Sequence, residues 1–389
     1  MINYPATLFL GGHYLLFAGI PAVSNGSVHS AFIWKVIVTV SATSILAETL
    51  LRLSTRGKSV KHYANVHSAG RSWPDVGNAA MWLILGVGLA ASVAGNVGGP
   101  GYASQVGAVA VASWSPLVTP FEPWMLLGVG MLINQTLNGR VSRRVGYSTI
   151  GFVCALMLVL DLQAGIINRT VSTIAAIVLC LFVVGLIRPT LLILVALIAV
   201  SSWPVLQDIR DDSRSTIIGS QIESQEPFER LQVDKQLEHA PFLRSNPALL
   251  DLPDAILLIR TGLIPSVVDS DRPPLDVGSQ FNVALGGSAE SSTSATALGN
   301  VYIYGGFVGI TIYALVVSVL YRSFIRLRTS LGLAGLMLTY TLFTSFSSSF
   351  PVVIPAVLQT TLSFLMAGSI VWLLRDRGGN WERGKINRR

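Results

Sequence analysis

The sequence predicts an all-α polytopic integral membrane protein, with about ten transmembrane helices and one large external loop carrying short interfacial helices. Three observations predict it. Hydrophobic residues make up 51% of the 389 and charged residues only 12%, with the apolar ones gathered in runs as long as a bilayer core requires. Lys and Arg collect in alternate short connections. The acidic residues collect in a single long one.

The apolar runs place spans near 5–22, 31–51, 77–95, 122–138, 146–162, 171–187, 190–206, 299–321, 331–349 and 353–374. The first run, Tyr4 to Pro21, reads as a span rather than a cleavable leader. Residues 101–120 (GYASQVGAVAVASWSPLVTP) are rich in small residues and broken by proline, which suits a re-entrant or interfacial segment covered by protein. Cys154 and Cys180 fall inside spans and read as small buried residues, silent on redox compartment. Glu48, near the inner end of the second span, reads as solvated.

The charges fix the expected orientation. With ten spans, Arg52, Arg56, Lys58, Lys61 and Arg71 share one side with Arg140, Arg143, Arg144, Arg188, Arg322, Arg326 and Arg328. The basic tail joins them. Lys/Arg-rich short loops face the cytoplasm, so both termini are expected there. Counting 101–120 as a crossing would break this alternation. The chain then divides into an N-terminal bundle (1–205, about seven spans), an external loop (206–298), a C-terminal bundle (299–374, three spans) and a basic cytoplasmic tail (375–389). The loop holds 14 acidic and 7 basic residues, against 6 acidic and 20 basic elsewhere. The pI near 9.6 is therefore the positive-inside signal, and no nucleic-acid partner is implied.

A connection this long points to a role of its own. Pro227 to Arg244 reads as a short helix or helix–turn, and the stretch NPALLDLPDAILLIRTGLIP as an interfacial helix that sets Arg260 at headgroup depth. Six of the seven basic loop residues are arginines: Arg210, Arg214, Arg230, Arg244, Arg260 and Arg272. A guanidinium fork suits phosphate and carboxylate oxygens. The same arginines could instead pair with the loop's own acids. His239 offers a general base or an ordinary surface imidazole. Asp269-Ser270-Asp271 has metal-pair spacing but reads better as a solvated turn, so no metal is expected. The SSTSATALGN run offers hydroxyls to a polar ligand or a flexible lead into the eighth span. Gly299, Gly305, Gly306 and Gly309 there suit close helix packing or close approach of a lipid. Lys35, Asp161 and Arg169 sit at outer span ends, where they could face one external cavity or, for the two basic ones, snorkel.

The segment from Ile264 to Ile310 carries a resemblance. Its pieces run IPS (264–266), DRPP (271–274), a Ser/Thr tract, GNVY (299–302) and GGFVG (305–309). This order, with the span plan, resembles the bacterial oligosaccharide repeat-unit polymerases of the Wzy-dependent pathway, which build O-antigen, capsule and exopolysaccharide. Two features depart from that pattern: Ser266 follows the Ile-Pro where a basic residue is usual, and no loop arginine is followed ten residues on by glycine. The resemblance implies a membrane glycosyltransferase of the bacterial cytoplasmic membrane, using undecaprenyl-pyrophosphate-linked oligosaccharides without a cofactor. Membrane lipids, a chain-length regulator and a flippase are its implied partners. It implies Arg272 and Arg260 at the pyrophosphate with His239 as a candidate base, and Arg230, Arg244, Arg210, Arg214, Arg169, Lys35, Asn300 and Tyr302 as substrate-binding residues. An O-antigen ligase is the alternative within the enzyme class. A transporter is the alternative outside it, disfavoured by the absence of an internal repeat and of charges at mid-span.

Overall fold

The computed structural model describes residues 4–54, 78–98, 110, 112–218, 233–246, 254–264, 268–269, 271, 277–287, 295–327, 329–344 and 350–386. The chain is all-α, with no strand among the described residues. Among the described residues, ten apolar helices form the bundle: α1 (Thr7–Ser24), α2 (Ser30–Leu53), α3 (Asn78–Gly98), α4 (Pro123–Leu137), α5 (Arg143–Gln163), α6 (Asn168–Val183) and α7 (Pro189–Ile218) precede the loop. The loop itself contributes α8 (Val233–Glu238), α9 (Ala240–Ser245), α10 (Ala255–Leu263) and α11 (Val277–Ala284). Three bundle helices follow: α12 (Thr296–Leu327), α13 (Ser330–Thr344) and α14 (Phe350–Ile386). Eight of the ten bundle helices are long and apolar enough to cross a membrane. Two shorter apolar helices, 169–183 and 330–344, occupy the positions of the predicted sixth and ninth spans.

Small residues bring the helices together. At the α3–α4 crossing Gly88 lies against the backbone of Met125, and Gly128 against Leu85 Cα, where an added Cβ would come within 2.6 Å. A bilayer supplies no hydrophobic force between helices, so such close packing is what holds them. Nearly every residue of α4 from Trp124 to Ile133 is buried, which makes it the central helix. It packs on α3 and α13; α12 packs on α2 and α13; and α10 packs on α14. Helix α7 is peripheral, with 6% of its apolar window buried.

The backbone also bears on segment 101–120. Ala112 N–H donates to Gly98 O, so the chain is at the same end of the bundle at both residues. Residues 115–121 then form short helical turns that lead directly into α4. Most of 101–111 lies outside the described residues.

Glu48 corrects an expectation. It is 0% exposed and its carboxylate accepts from Ala6 N (2.8 Å), Thr7 N (3.3 Å) and Thr7 Oγ1 (2.9 Å). The first-turn amides of α1 have no intrahelical partner, and a carboxylate there satisfies them and the helix dipole. An end-of-span position exposes a residue only when no other helix starts beside it.

The loop helices sit on the bundle. Val233 and Leu237 of α8 are buried, and its polar side reaches the α1–α2 turn through Asn25 Nδ2 to Asp234 Oδ2 (3.2 Å) and Ser27 Oγ to Glu238. Ala240, Leu243, Phe281, Ala295 and Ile303 form a separate apolar cluster that unites α9, α11 and the start of α12.

Candidate functional site at an interrupted helix

Helix α12 is broken at Gly306, whose backbone (φ 60°, ψ −152°) lies where only glycine is at ease. The break ends one half-helix in front of Gly306 and starts another behind it. Carbonyls at the end of the first half need partners. Arg244 supplies them: Nη1 donates to Tyr302 O (2.9 Å) and Ile303 O (3.0 Å), with its guanidinium 5.4 Å from the Tyr302 ring centroid. A Cβ on residue 306 would stand 2.9 Å from Arg244 Nη2. Glycine is thus required twice, by the backbone and by the arginine.

Aromatic rings surround the break on the α2 side. Tyr302 meets Phe32 (4.7 Å between centroids) and Phe307 (5.2 Å). Lys35 lies one turn along α2 and, with Trp34 and Phe307, lines a groove of about 420 Å³. Asn300 is fully buried: Nδ2 donates to Thr296 O (2.7 Å), whereas Oδ1 finds no hydrogen-bond partner among the described residues.

On the α14 side runs a second groove, about 490 Å³ and almost wholly apolar, lined by Tyr304, Gly305, Gly309, Tyr313, Phe343 and Leu358 among others. An added Cβ on Gly305 would meet nothing within 4 Å, whereas Gly299 packs against Leu237. The glycine series therefore divides into two packing residues, Gly299 and Gly309 (an added Cβ on the latter would stand 2.9 Å from Val301 O), one hinge, Gly306, and one open position, Gly305. The Tyr304 hydroxyl is buried at the groove without a hydrogen-bond partner among the described residues.

Helix α10 lies against the groove's α14 wall. Asp254 caps it by accepting from Ile256 N (3.2 Å). Gly262 then sits on α14, where an added Cβ would be 2.8–3.0 Å from Leu358 and Pro355. Gln359 Nε2 donates to Thr261 O (3.1 Å). Arg260 is 43% exposed and forks onto the Asp269 carboxylate, whose hydrogen bonds raise the guanidinium's pKa further.

The described site residues fall in three places, Arg260 on α10 being one. Lys35, Arg244, Asn300 and Tyr302 come together around the break, with exposed His239 five residues before Arg244 at the α8–α9 turn. Arg169, Arg210 and Arg214 instead belong to the α5–α6 corner. Arg214 Nε donates to Gly165 O (2.7 Å); Arg210, 3% exposed, pairs with Asp211; Arg169 pairs with Glu122 (3.3 Å) and Asp161 (3.5 Å). Helix α7 runs on to Ile218 and carries Arg210 and Arg214 with it. Lys35, Asp161 and Arg169 consequently do not share one cavity, because α2 and the α5–α6 turn border different grooves. Arg169, 44% exposed, pairs with both carboxylates. Arg230 and Arg272 lie outside the described residues.

Each described loop arginine thus has an oxygen partner within the protein. Sequence reasoning missed Gly306 as a hinge, Tyr304 as a groove residue and Glu122 as an ion-pair partner. The doubled glycine in YGGFVG signals the first. Glu122 carries no local signal, since its ion-pair partner, Arg169, lies 47 residues away in sequence. No family model, curated protein or solved structure matches the chain.

Proposed function

We propose that the protein polymerises lipid-pyrophosphate-linked oligosaccharide repeat units on the outer face of the bacterial cytoplasmic membrane, both of its termini lying in the cytoplasm. The supporting observation is the apolar groove between α12 and α14, which runs beside the interrupted helix and is flanked by α10 with its exposed arginine. An amphiphile with a long hydrocarbon chain and an anionic head matches that sequence of surfaces. The chain lies in the groove and the pyrophosphate near Arg260 and Arg272. For Arg260 to take a phosphate, Asp269 yields its fork.

In the reaction an acceptor hydroxyl oxygen bonds to the anomeric carbon of the growing glycan. The bond from that carbon to the pyrophosphate oxygen breaks, the carrier lipid pyrophosphate leaves with the electron pair, and a base takes the hydroxyl proton. Arginines stabilise the leaving charge. Gel analysis of surface glycan from a deletion strain tests the reading. Single-repeat material should remain, with the ladder restored by the wild-type gene but not by Arg260→Ala or Arg272→Ala. Every chain length accumulating on the carrier lipid would indicate a ligase instead. An unchanged ladder in the deletion strain would overturn both.

The interruption of α12 favours one reading of another class. Discontinuous helices are a feature of transporters. Flux of a labelled lipid-linked unit across proteoliposomes, without elongation, would establish transport over polymerisation.

A further inference from the structure

The interrupted helix has another flank, on the side of α2. Ala31, Trp34, Lys35, Val38 and Thr39 recur along α2 at the spacing of a single helix face. With Phe307 of α12 they line the groove of about 420 Å³. Ala31, Lys35, Val38 and Phe307 are exposed, so the groove opens to the surroundings of the bundle rather than to a packed helix. In a bilayer, lipid chains fill any apolar groove that protein leaves open.

The charge at the head of this groove is positive. None of its lining residues is acidic, and Lys35 forms no ion pair with a described residue. Lys35 stands one turn from Phe32, whose ring meets Tyr302 at 4.7 Å and Phe307 at 6.3 Å. Arg244 reaches the same ring cluster, its guanidinium 5.4 Å from the Tyr302 centroid. Its Nη1 holds the Tyr302 and Ile303 carbonyls, whereas Nε and Nη2 make no hydrogen bond with a described residue, and the side chain is exposed. The acids of neighbouring α8 are engaged elsewhere, Asp234 with Asn25 and Glu238 with Ser27. An exposed ammonium and the unused edge of a guanidinium therefore flank one aromatic cluster.

We infer that this flank binds an anionic phospholipid, with its phosphate at Lys35 and Arg244 and an acyl chain along Trp34, Val38 and Phe307. The depth agrees with a headgroup. Lys35 is five residues past Ser30, the first residue of α2, about 7.5 Å at the α-helical rise. A lysine stem spans that distance to bring its ammonium to headgroup level. The charge selects the lipid. A zwitterionic head brings its own ammonium against these cations, whereas phosphatidylglycerol brings negative charge alone. Its phosphate oxygens accept from Arg244 Nε and Nη2 while Nη1 stays on the two carbonyls, so lipid and arginine together brace the break in α12. The site stands apart from the polymerase reading, whose carrier lipid lies on the α14 side of α12.

Native mass spectrometry of the purified full-length protein tests it, with phosphatidylglycerol, phosphatidylcholine or undecaprenyl pyrophosphate added in detergent. Wild-type protein should retain phosphatidylglycerol about tenfold more strongly than phosphatidylcholine. Lys35→Glu reverses the charge of an exposed residue and should weaken phosphatidylglycerol retention about tenfold or more. Val38→Trp obstructs the path of the chain without altering charge, and should weaken it too. Arg143→Glu, at an exposed position that begins α5, should leave retention unchanged. An equal loss in Arg143→Glu would reduce the effect to general surface charge and overturn the inference. Equal retention of the two phospholipids overturns it as well. So does unchanged retention in Lys35→Glu, or in Lys35→Gln if the reversed charge prevents folding. Undecaprenyl pyrophosphate that displaces phosphatidylglycerol at equal concentration, and itself fails to bind Lys35→Glu, would assign the flank to the carrier and overturn the phospholipid.

Discussion

Arg244 and Gly306 form one device, each making sense only with the other. The glycine conformation ends the first half of α12, and the arginine takes the two carbonyls so released. Gly305 stands next to it with open space around its Cα. The two neighbours therefore separate conformational strain from loss of a small residue. Gly306→Ala should destabilise the protein by about 1–3 kcal/mol, the cost of holding a non-glycine residue in a sparsely populated backbone region. Gly305→Ala should be neutral or stabilise by up to about 1 kcal/mol, as alanine does relative to glycine in a helix. Thermal unfolding in detergent compares them, and equal shifts would rule out a glycine-specific break. The arginines illustrate what was legible at this scale. Their excess over lysine is plain in the sequence, and so is their fitness for oxygen ligands. Which oxygens they meet is not, because Gly165, Tyr302 and Ile303 reach them only through the packing of distant helices. Glu48 fails for the same reason: its partners, Ala6 and Thr7, are about 40 residues away.

The apolar helices were readable because a bilayer core demands a continuous hydrophobic run, and that demand is written locally. Their ends were less so. Helix α7 continues twelve residues beyond its predicted end at 206, since Asp208 to Arg214 supports helix as well as the apolar run does. The break in α12 leaves no mark in the hydrophobic pattern, which persists through both halves. The amphipathic α10 was legible as a surface helix, from its acidic cap and its short apolar face. Its seat on α14 was not. That seat depends on Gly262 meeting Leu358 and Pro355, and Pro355 interrupts the ladder of α14 at the same turn. An added Cβ at 262 would lie 2.9 Å from Leu358 Cβ, slightly inside the separation of about 3.5–4.5 Å usual for a disulfide. A Gly262→Cys, Leu358→Cys pair, in a chain with Cys154 and Cys180 replaced by Ala, should therefore oxidise to a bridge after a small adjustment. Blocking free thiols with a polyethylene-glycol maleimide reads the result as a gel shift. Two reactive thiols after mild oxidation would mean that α10 rests elsewhere.

At the scale of the whole molecule, two independent features agree on which connections share an end. The charges put the basic connections together and the acidic loop opposite. The hydrogen bond from Ala112 to Gly98 returns the chain to the end it left, so the alternation passes unbroken through the ambiguous segment. The proposed function needs the loop end outside, where polymer is assembled. Single cysteines in the same cysteine-free background test this directly. A cysteine at Val268 or at His239, both exposed on the loop, should react with a membrane-impermeant maleimide in spheroplasts. One at Arg140, exposed in the α4–α5 turn, should react only after permeabilisation. Ala110 is exposed and two residues before the returning strand of chain at Ala112, so a cysteine there should behave like the loop positions. Labelling of 110 and 140 in one pattern would require a second crossing between them besides α4, and would break the alternation. Labelling of 140 in intact spheroplasts, with 110, 239 and 268 labelled only after permeabilisation, would instead invert α4 and every later element, and set the groove and the loop arginines on the face away from the polymer.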